Sequence, residues 1–283
     1  KSVASATGVH GRRAVFRSDR EPTVVAPIAL SPSTVAVATA VLFLGGVVAG
    51  VNGFGFAAVG TAALASAFDP RTAVVVMLLP LLAANASLAA ELRAGDLRPC
   101  ARRFWPYVLA AVVGAVAGMT LLARIPTRPL TVGLGVFTLG YVAASQRRLP
   151  VPGRSFVRQR CFGESTRAKV GLGVVSGAVF GASNVGVQVV AYLRSRDLDR
   201  GTFVGVLASV FLGVTALRIG VAAWLGFYRG DVAILSVVGV VPGLLGVAAG
   251  KRIRAAIPDA AKRAAALTLL TVLGLKLTVT AGG

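Results

Sequence analysis

STVAVATAVLFLGGVVAGVNGFGFAAVGTAALASA, residues 33–67, contains no charged side chain. A bilayer core of about 30 Å is spanned by roughly 20 apolar residues of α-helix. This run is too long for one plain membrane helix, and it is broken near its middle by Asn52-Gly53-Phe54-Gly55. Glycine weakens a helix and permits positive φ. A break inside a bilayer frees backbone groups, so such backbone persists only where protein buries it or where it lines a wet cavity.

Two further stretches, Thr72–Ala90 and Val232–Gly250, are equally free of charge. Only 14% of the 283 residues are charged and 55% are hydrophobic, against about 25% charged in an ordinary soluble domain. One soluble core could not bury so many recurring runs. The pattern therefore predicts an all-α polytopic membrane protein with eight segments. They run over residues 33–67, 72–90, 104–123, 129–144, 170–193, 202–227, 232–250 and 264–280. Residues 1–32 read as a basic N-terminal tail, 33–144 as a first membrane repeat, 145–169 as a basic cytoplasmic linker and 170–283 as a second repeat.

The net charge of +20 would suggest nucleic acid in a soluble chain. Here the Lys and Arg residues cluster between apolar runs, as positive-inside topology and anionic headgroups require, and no aromatics accompany them for base stacking. The reading is a lipid bilayer partner and no nucleic acid. By the same rule the tail and the linker are both expected in the cytoplasm. Under simple alternation the basic loop from Lys251 to Arg263 then falls outside. A re-entrant first segment in one half removes that conflict by inverting one half against the other.

The two halves read as copies. Gly114-Ala115-Val116-Ala117-Gly118 leads to Ile125-Pro126, and Gly246-Val247-Ala248-Ala249-Gly250 leads to Ile257-Pro258. Phe68-Asp69-Pro70-Arg71-Thr72 parallels Leu198-Asp199-Arg200-Gly201-Thr202, and Gly95-Asp96-Leu97 parallels Gly230-Asp231-Val232. Glycines four apart present a flat strip on which a second backbone can lie.

The broken first helix of each half is the pointer to function. Interrupted helices at matching positions of two repeats mark a transporter's binding site, and half-helix N-termini there attract anions. Asn52, Gly53 and Gly55 in the first break are candidate substrate-binding residues. Gly181, Ser183 and Asn184 are their counterparts in the second. Arg218, inside the sixth segment, joins them: a charge at that depth costs at least ~2.5 kcal/mol on insertion scales and normally faces protein or water. It either offsets an anionic substrate or snorkels to the interface. Asn85 and Thr215, at matching repeat positions, are interhelical hydrogen-bonding or cavity-lining groups. Asp69, Asp96, Asp199 and Asp231 sit at segment ends, where helix capping explains them.

Enzymatic chemistry finds no footing. The one histidine, His10, lies in the polar tail, and Cys100 and Cys161 have no metal-ligand spacing. GxSxG, HExxH and GxxxxGK[ST] patterns are absent. The sequence thus gives no catalytic residue, no metal ligand and no ATP-driven pump.

The duplicated four-segment unit, its glycine-broken first helix and the basic central linker resemble the sulfite exporter TauE/SafE family of membrane permeases. The resemblance spans about Val35 to Thr280 and rests on Gly50-Val51-Asn52-Gly53-Phe54-Gly55 and Ser176-Gly177-Ala178-Val179-Phe180-Gly181-Ala182-Ser183-Asn184. Family members place a proline after the glycine run, where this chain has Ala57 and Val187 nearby. The resemblance implies a multi-pass protein of the plasma membrane that moves small sulfur-containing anions such as sulfite, thiosulfate or sulfonates. It implies no ATP hydrolysis and no cofactor, with a proton or cation gradient as the driving force. An anion channel or a structural membrane subunit is the alternative.

Overall fold

Ser31 starts the first helix: its hydroxyl accepts from the Thr34 amide at 3.2 Å, and Pro32 follows at the first helical position, where its missing N–H costs nothing. Helix α1 then runs Pro32–Asn52 and stops at Gly53, whose φ of 80° lets its N–H turn back onto the Ala49 carbonyl. Left-handed backbone of this kind suits glycine and ends helices. Gly55, at φ 104°, opens α2, Phe56–Ala65. The second helix folds back along the first. A Cβ at Gly45 would lie 3.6 Å from the Gly60 Cα and 3.1 Å from the Phe56 ring, whereas residues 45 and 60 of one straight helix would stand about 22 Å apart. The opening stretch is therefore a helical hairpin.

The computed structural model describes residues 30–282 except 91–93, 146–165, 185, 187–188, 191–192, 194–199 and 229. After the hairpin come α3 (Pro70–Val76), α4 (Leu78–Ala89), α5 (Ala94–Arg124) and α6 (Thr127–Ser145). The second half contributes α7 (Thr166–Ser183), α8 (Arg200–Trp224), α9 (Gly230–Val238), α10 (Val240–Ile253) and α11 (Asp259–Gly282). Each of the eight predicted segments is helical within the described residues. Five helical stretches are long and apolar enough to cross a membrane: Pro32–Asn52, Pro70–Ala89, Trp105–Arg124, Thr202–Trp224 and Gly230–Ile253. The protein is an all-α polytopic membrane protein.

Its outer faces confirm the solvent. Val113, Leu121, Val241 and Val279 are 52–72% exposed and Trp224 81%. Apolar side chains displayed this widely suit lipid rather than water. Inside, Leu42, Leu64, Met77, Leu81, Tyr107 and Met119 pack in one continuous core.

Small residues decide how the helices meet. A side chain at Gly114 or Gly118 on α5 would run into the carbonyls of Val174 and Ala178 on α7. One at Gly246 or Gly250 on α10 would meet those of Phe43 and Val47 on α1. The converse contacts exist too: Gly46 and Gly50 face Gly243 and Val247, and Gly177 and Gly181 face Ala111 and Ala115. Every contact in one set has its partner in the other at an offset of 131 or 132 residues. Rising numbers meet rising numbers, so α1 lies parallel to α10 and α5 parallel to α7. The first helix of each half thus packs on the third segment of the other half. In membranes such backbone-to-backbone approach replaces the hydrophobic drive between helices.

Asp69 caps α3, as the sequence suggests, accepting from the amides of Arg71 at 3.0 Å and Thr72 at 3.3 Å. The Arg71 side chain is buried and donates to the Ile125 carbonyl at the end of α5. A cation is favoured there by the negative end of the helix dipole.

Candidate functional site

Helix α7 ends where its sequence turns polar. The Ser183 hydroxyl donates to the Val179 carbonyl at 2.6 Å, one turn back. Asn184 then takes φ 60°, the only positive φ outside glycine among the described residues, and its N–H bonds to the Phe180 carbonyl at 2.9 Å. Asparagine is the side-chain-bearing residue that enters this region most readily. Gly53 stands at the matching place in the first break with nearly the same conformation.

The asparagine is fully buried and its amide is committed on three sides. Its Nδ2 donates to the Thr61 hydroxyl on α2 and to the Val74 carbonyl on α3, each at 3.0 Å. Its Oδ1 accepts from Nη1 of Arg218 at 2.6 Å. This one side chain ties the end of α7 to three other helices.

Arg218, on α8, has no exposed surface. Besides Asn184 it donates from Nη2 to the Gly181 carbonyl at 2.8 Å and reaches the Met119 sulfur at 3.6 Å. Its guanidinium lies 5.0 Å from the centre of the Phe180 ring, which stacks on Phe211 at 4.8 Å and 17°. Nε has no partner. Two features make the place tolerable for a cation. The Gly181 carbonyl belongs to the last turn of a broken helix, where carbonyls lack helical donors and carry negative potential. The Phe180 ring face adds a cation–π attraction. No carboxylate is among these partners. The snorkelling alternative for Arg218 is excluded, since the head group points into the bundle.

The candidates of the first break lie elsewhere. Asn52 spends its Nδ2 on the Val48 carbonyl of its own helix at 3.0 Å. Gly53 abuts the Val204 side chain, and Phe54 meets Phe203 edge-to-face at 6.5 Å. Gly55 has only Val48 near it. Val204 and Arg218 belong to the same helix, α8, and at 1.5 Å per residue they are about 20 Å apart along it. Gly181, Ser183, Asn184 and Arg218 thus come together near the end of α8. Asn52, Gly53 and Gly55 gather near its start.

Asn85 and Thr215 are both buried, and neither the Asn85 Nδ2 nor the Thr215 hydroxyl has a hydrogen-bond partner. The bridging role open to them in the sequence is not seen. The sequence reading did not single out Thr61, Val74, Met119 or Phe211. Thr61 alone left a trace, as a polar residue in an apolar run; a backbone carbonyl and packing partners leave none. Among the described residues no group of His, Cys, Asp and Glu could hold a metal ion.

The family model described as sulfite exporter TauE/SafE matches residues 38–277. No curated protein and no solved structure matches the chain. The matched stretch takes in both helix breaks, Arg218 and all the cross-half glycine contacts. An integral multi-pass bundle whose two helix breaks are tied in by the other half is the setting of that match, and the chain belongs to the sulfite exporter TauE/SafE family.

Proposed function

We propose that this membrane permease carries small sulfur-containing anions, such as sulfite, thiosulfate or sulfonates, and holds them at Arg218. The observation that carries the reading is a fully buried arginine whose hydrogen-bond partners are all neutral. A structural arginine in a membrane core is normally paired with an acid or reaches the headgroups. Arg218 does neither, so its charge remains available to an anion entering in place of the Asn184 amide or the Gly181 carbonyl. The unpartnered Nε adds a further donor, and the planar fork suits the oxygens of sulfur oxyanions. At an effective dielectric near 20, a unit charge about 4 Å away gains roughly 4 kcal/mol.

Asn184 and Gly181 shape the second break around the guanidinium, and Ser183 supports them. Asn52, Gly53 and Gly55 form the matching break of the first half. In this reading residues 33–144 and 170–283 are duplicated membrane units, joined by the basic linker 145–169 and preceded by the tail 1–32. The constant offset of the glycine contacts supports the duplication. A gradient of protons or cations drives the flux.

Purified protein in liposomes tests the reading. Saturable uptake of labelled sulfite or thiosulfate, competed by sulfonates and not by acetate, is the expected result. No saturable flux of any sulfur anion refutes it.

A further inference from the structure

The two breaks differ in where they stand along α8, and that difference orients the protein. The end of α1 meets the start of α8, through Gly53 against Val204 and Phe54 against Phe203. The end of α7 meets the far part of α8, through Gly181 and Asn184 against Arg218. Helices α1 and α7 therefore point in opposite directions along one common neighbour. Helix α4 agrees: its Pro80 lies by Gly239 and Gly243 of α9–α10 and its Ser87 by Lys251, so it runs parallel to α10 and α1. Helix α5 returns after only a few residues and runs with α7.

The basic residues are divided unequally between the two ends. At the end holding the first break, α10 closes on Lys251 and Arg252, followed by Arg254. There too α5 opens with Arg98, Arg102 and Arg103, and α7 with Arg167 and Lys169. The opposite end shows Arg124 and Arg128, and Arg71, which is buried and spent on the Ile125 carbonyl. Short loops rich in Lys and Arg stay in the cytoplasm.

We infer that the first break faces the cytoplasm and that the Arg218–Asn184 cluster is the gate at the opposite, outer end of the transport path. The gate rests on the anion site proposed above; the orientation does not. Asn184 latches that end by joining α7 to Thr61, Val74 and Arg218. The first break, at the cytoplasmic end, is closed by apolar contacts alone, Val204 on Gly53 and Phe203 on Phe54. Two gates of different chemistry at opposite ends suit alternating access to a site reached from each side in turn. The inversion also removes the conflict over the Lys251–Arg263 loop. It corrects the expectation that the tail and the linker share a side, since α1 and α7 start from opposite ends of the bundle.

Sided labelling tests both parts. Single cysteines are placed in a Cys100→Ser, Cys161→Ser background and treated with a membrane-impermeant maleimide, on intact cells and on inverted vesicles. Arg128→Cys should react from outside only, and Ala255→Cys from the cytoplasmic side only. The reverse pattern overturns the orientation, whatever the flux measurements give. Met119→Cys then reports the latch, because Met119 is buried against Arg218. Adding Asn184→Gly keeps the positive φ and deletes the amide. It should speed outside labelling of Met119→Cys about tenfold, the equivalent of about 1.4 kcal/mol of lost hydrogen bonding. The Arg128→Cys and Ala255→Cys patterns in the same variant check its insertion. Unchanged labelling of Met119→Cys, or faster labelling from the cytoplasmic side, overturns the gate.

Discussion

Replacing Arg218 by glutamine tests the anion site most directly. An incoming anion must displace the Asn184 Oδ1 or the Gly181 carbonyl, so part of its attraction only replaces bonds already made. What survives is about the value of one charge-assisted hydrogen bond, roughly 2 kcal/mol. At 1.4 kcal/mol per factor of ten, Arg218→Gln should raise the half-saturating substrate concentration about 30-fold. Arg218→Lys keeps the charge and loses the planar fork, at about 1 kcal/mol or 5-fold. The assay is initial flux against substrate concentration in liposomes holding equal protein. Wild-type half-saturation in the Gln variant would refute the reasoning. A companion variant separates function from folding. Arg218→Leu copies Leu88, which occupies the matching place in the first half. It strands the Asn184 Oδ1 and the Gly181 carbonyl at about 1–3 kcal/mol each, but it removes a desolvated cation that costs several kcal/mol. The thermal midpoint in detergent should change little while flux is lost. A large drop in that midpoint would make Arg218 a structural residue instead.

Asn184→Leu should unfold or misassemble the bundle, losing about 3–5 kcal/mol, because it buries three stranded partners and forces a branched side chain to positive φ. Asn52→Leu removes only a bond within its own helix, so it should leave expression intact and alter stability by under about 1 kcal/mol; equal damage from the two would contradict the placement of Asn52. Gly177→Val drives a side chain into the Ala111 backbone and should abolish assembly or cost about 3 kcal/mol or more, whereas Gly213→Ala, with nothing within 4 Å, should be neutral or slightly stabilising by detergent thermal melts.

The sequence alone determined the solvent and the helical class. Charge-free runs of membrane length cannot be anything but helices in lipid, and that logic is local. The breaks were also legible, because glycine and asparagine carry their backbone preferences with them: Gly53 and Asn184 do take positive φ. The glycine pairs 114/118 and 246/250 were recognisable as packing strips for the same reason. What they pack against was not, since the partner surface is a run of backbone carbonyls more than 50 residues away. The site divided along the same line. Arg218 stood out as a charge in an apolar segment, but whether it pointed to lipid, cavity or protein depended on a carbonyl and an amide from α7. Asn52 and Asn184 looked alike in sequence. Only the tertiary structure separated them, by turning one onto its own helix and the other onto Thr61, Val74 and Arg218. Helix direction was the last thing hidden. A hairpin and a through-going helix have the same composition, and only the contact of Gly45 with Gly60 shows that the first segment turns back.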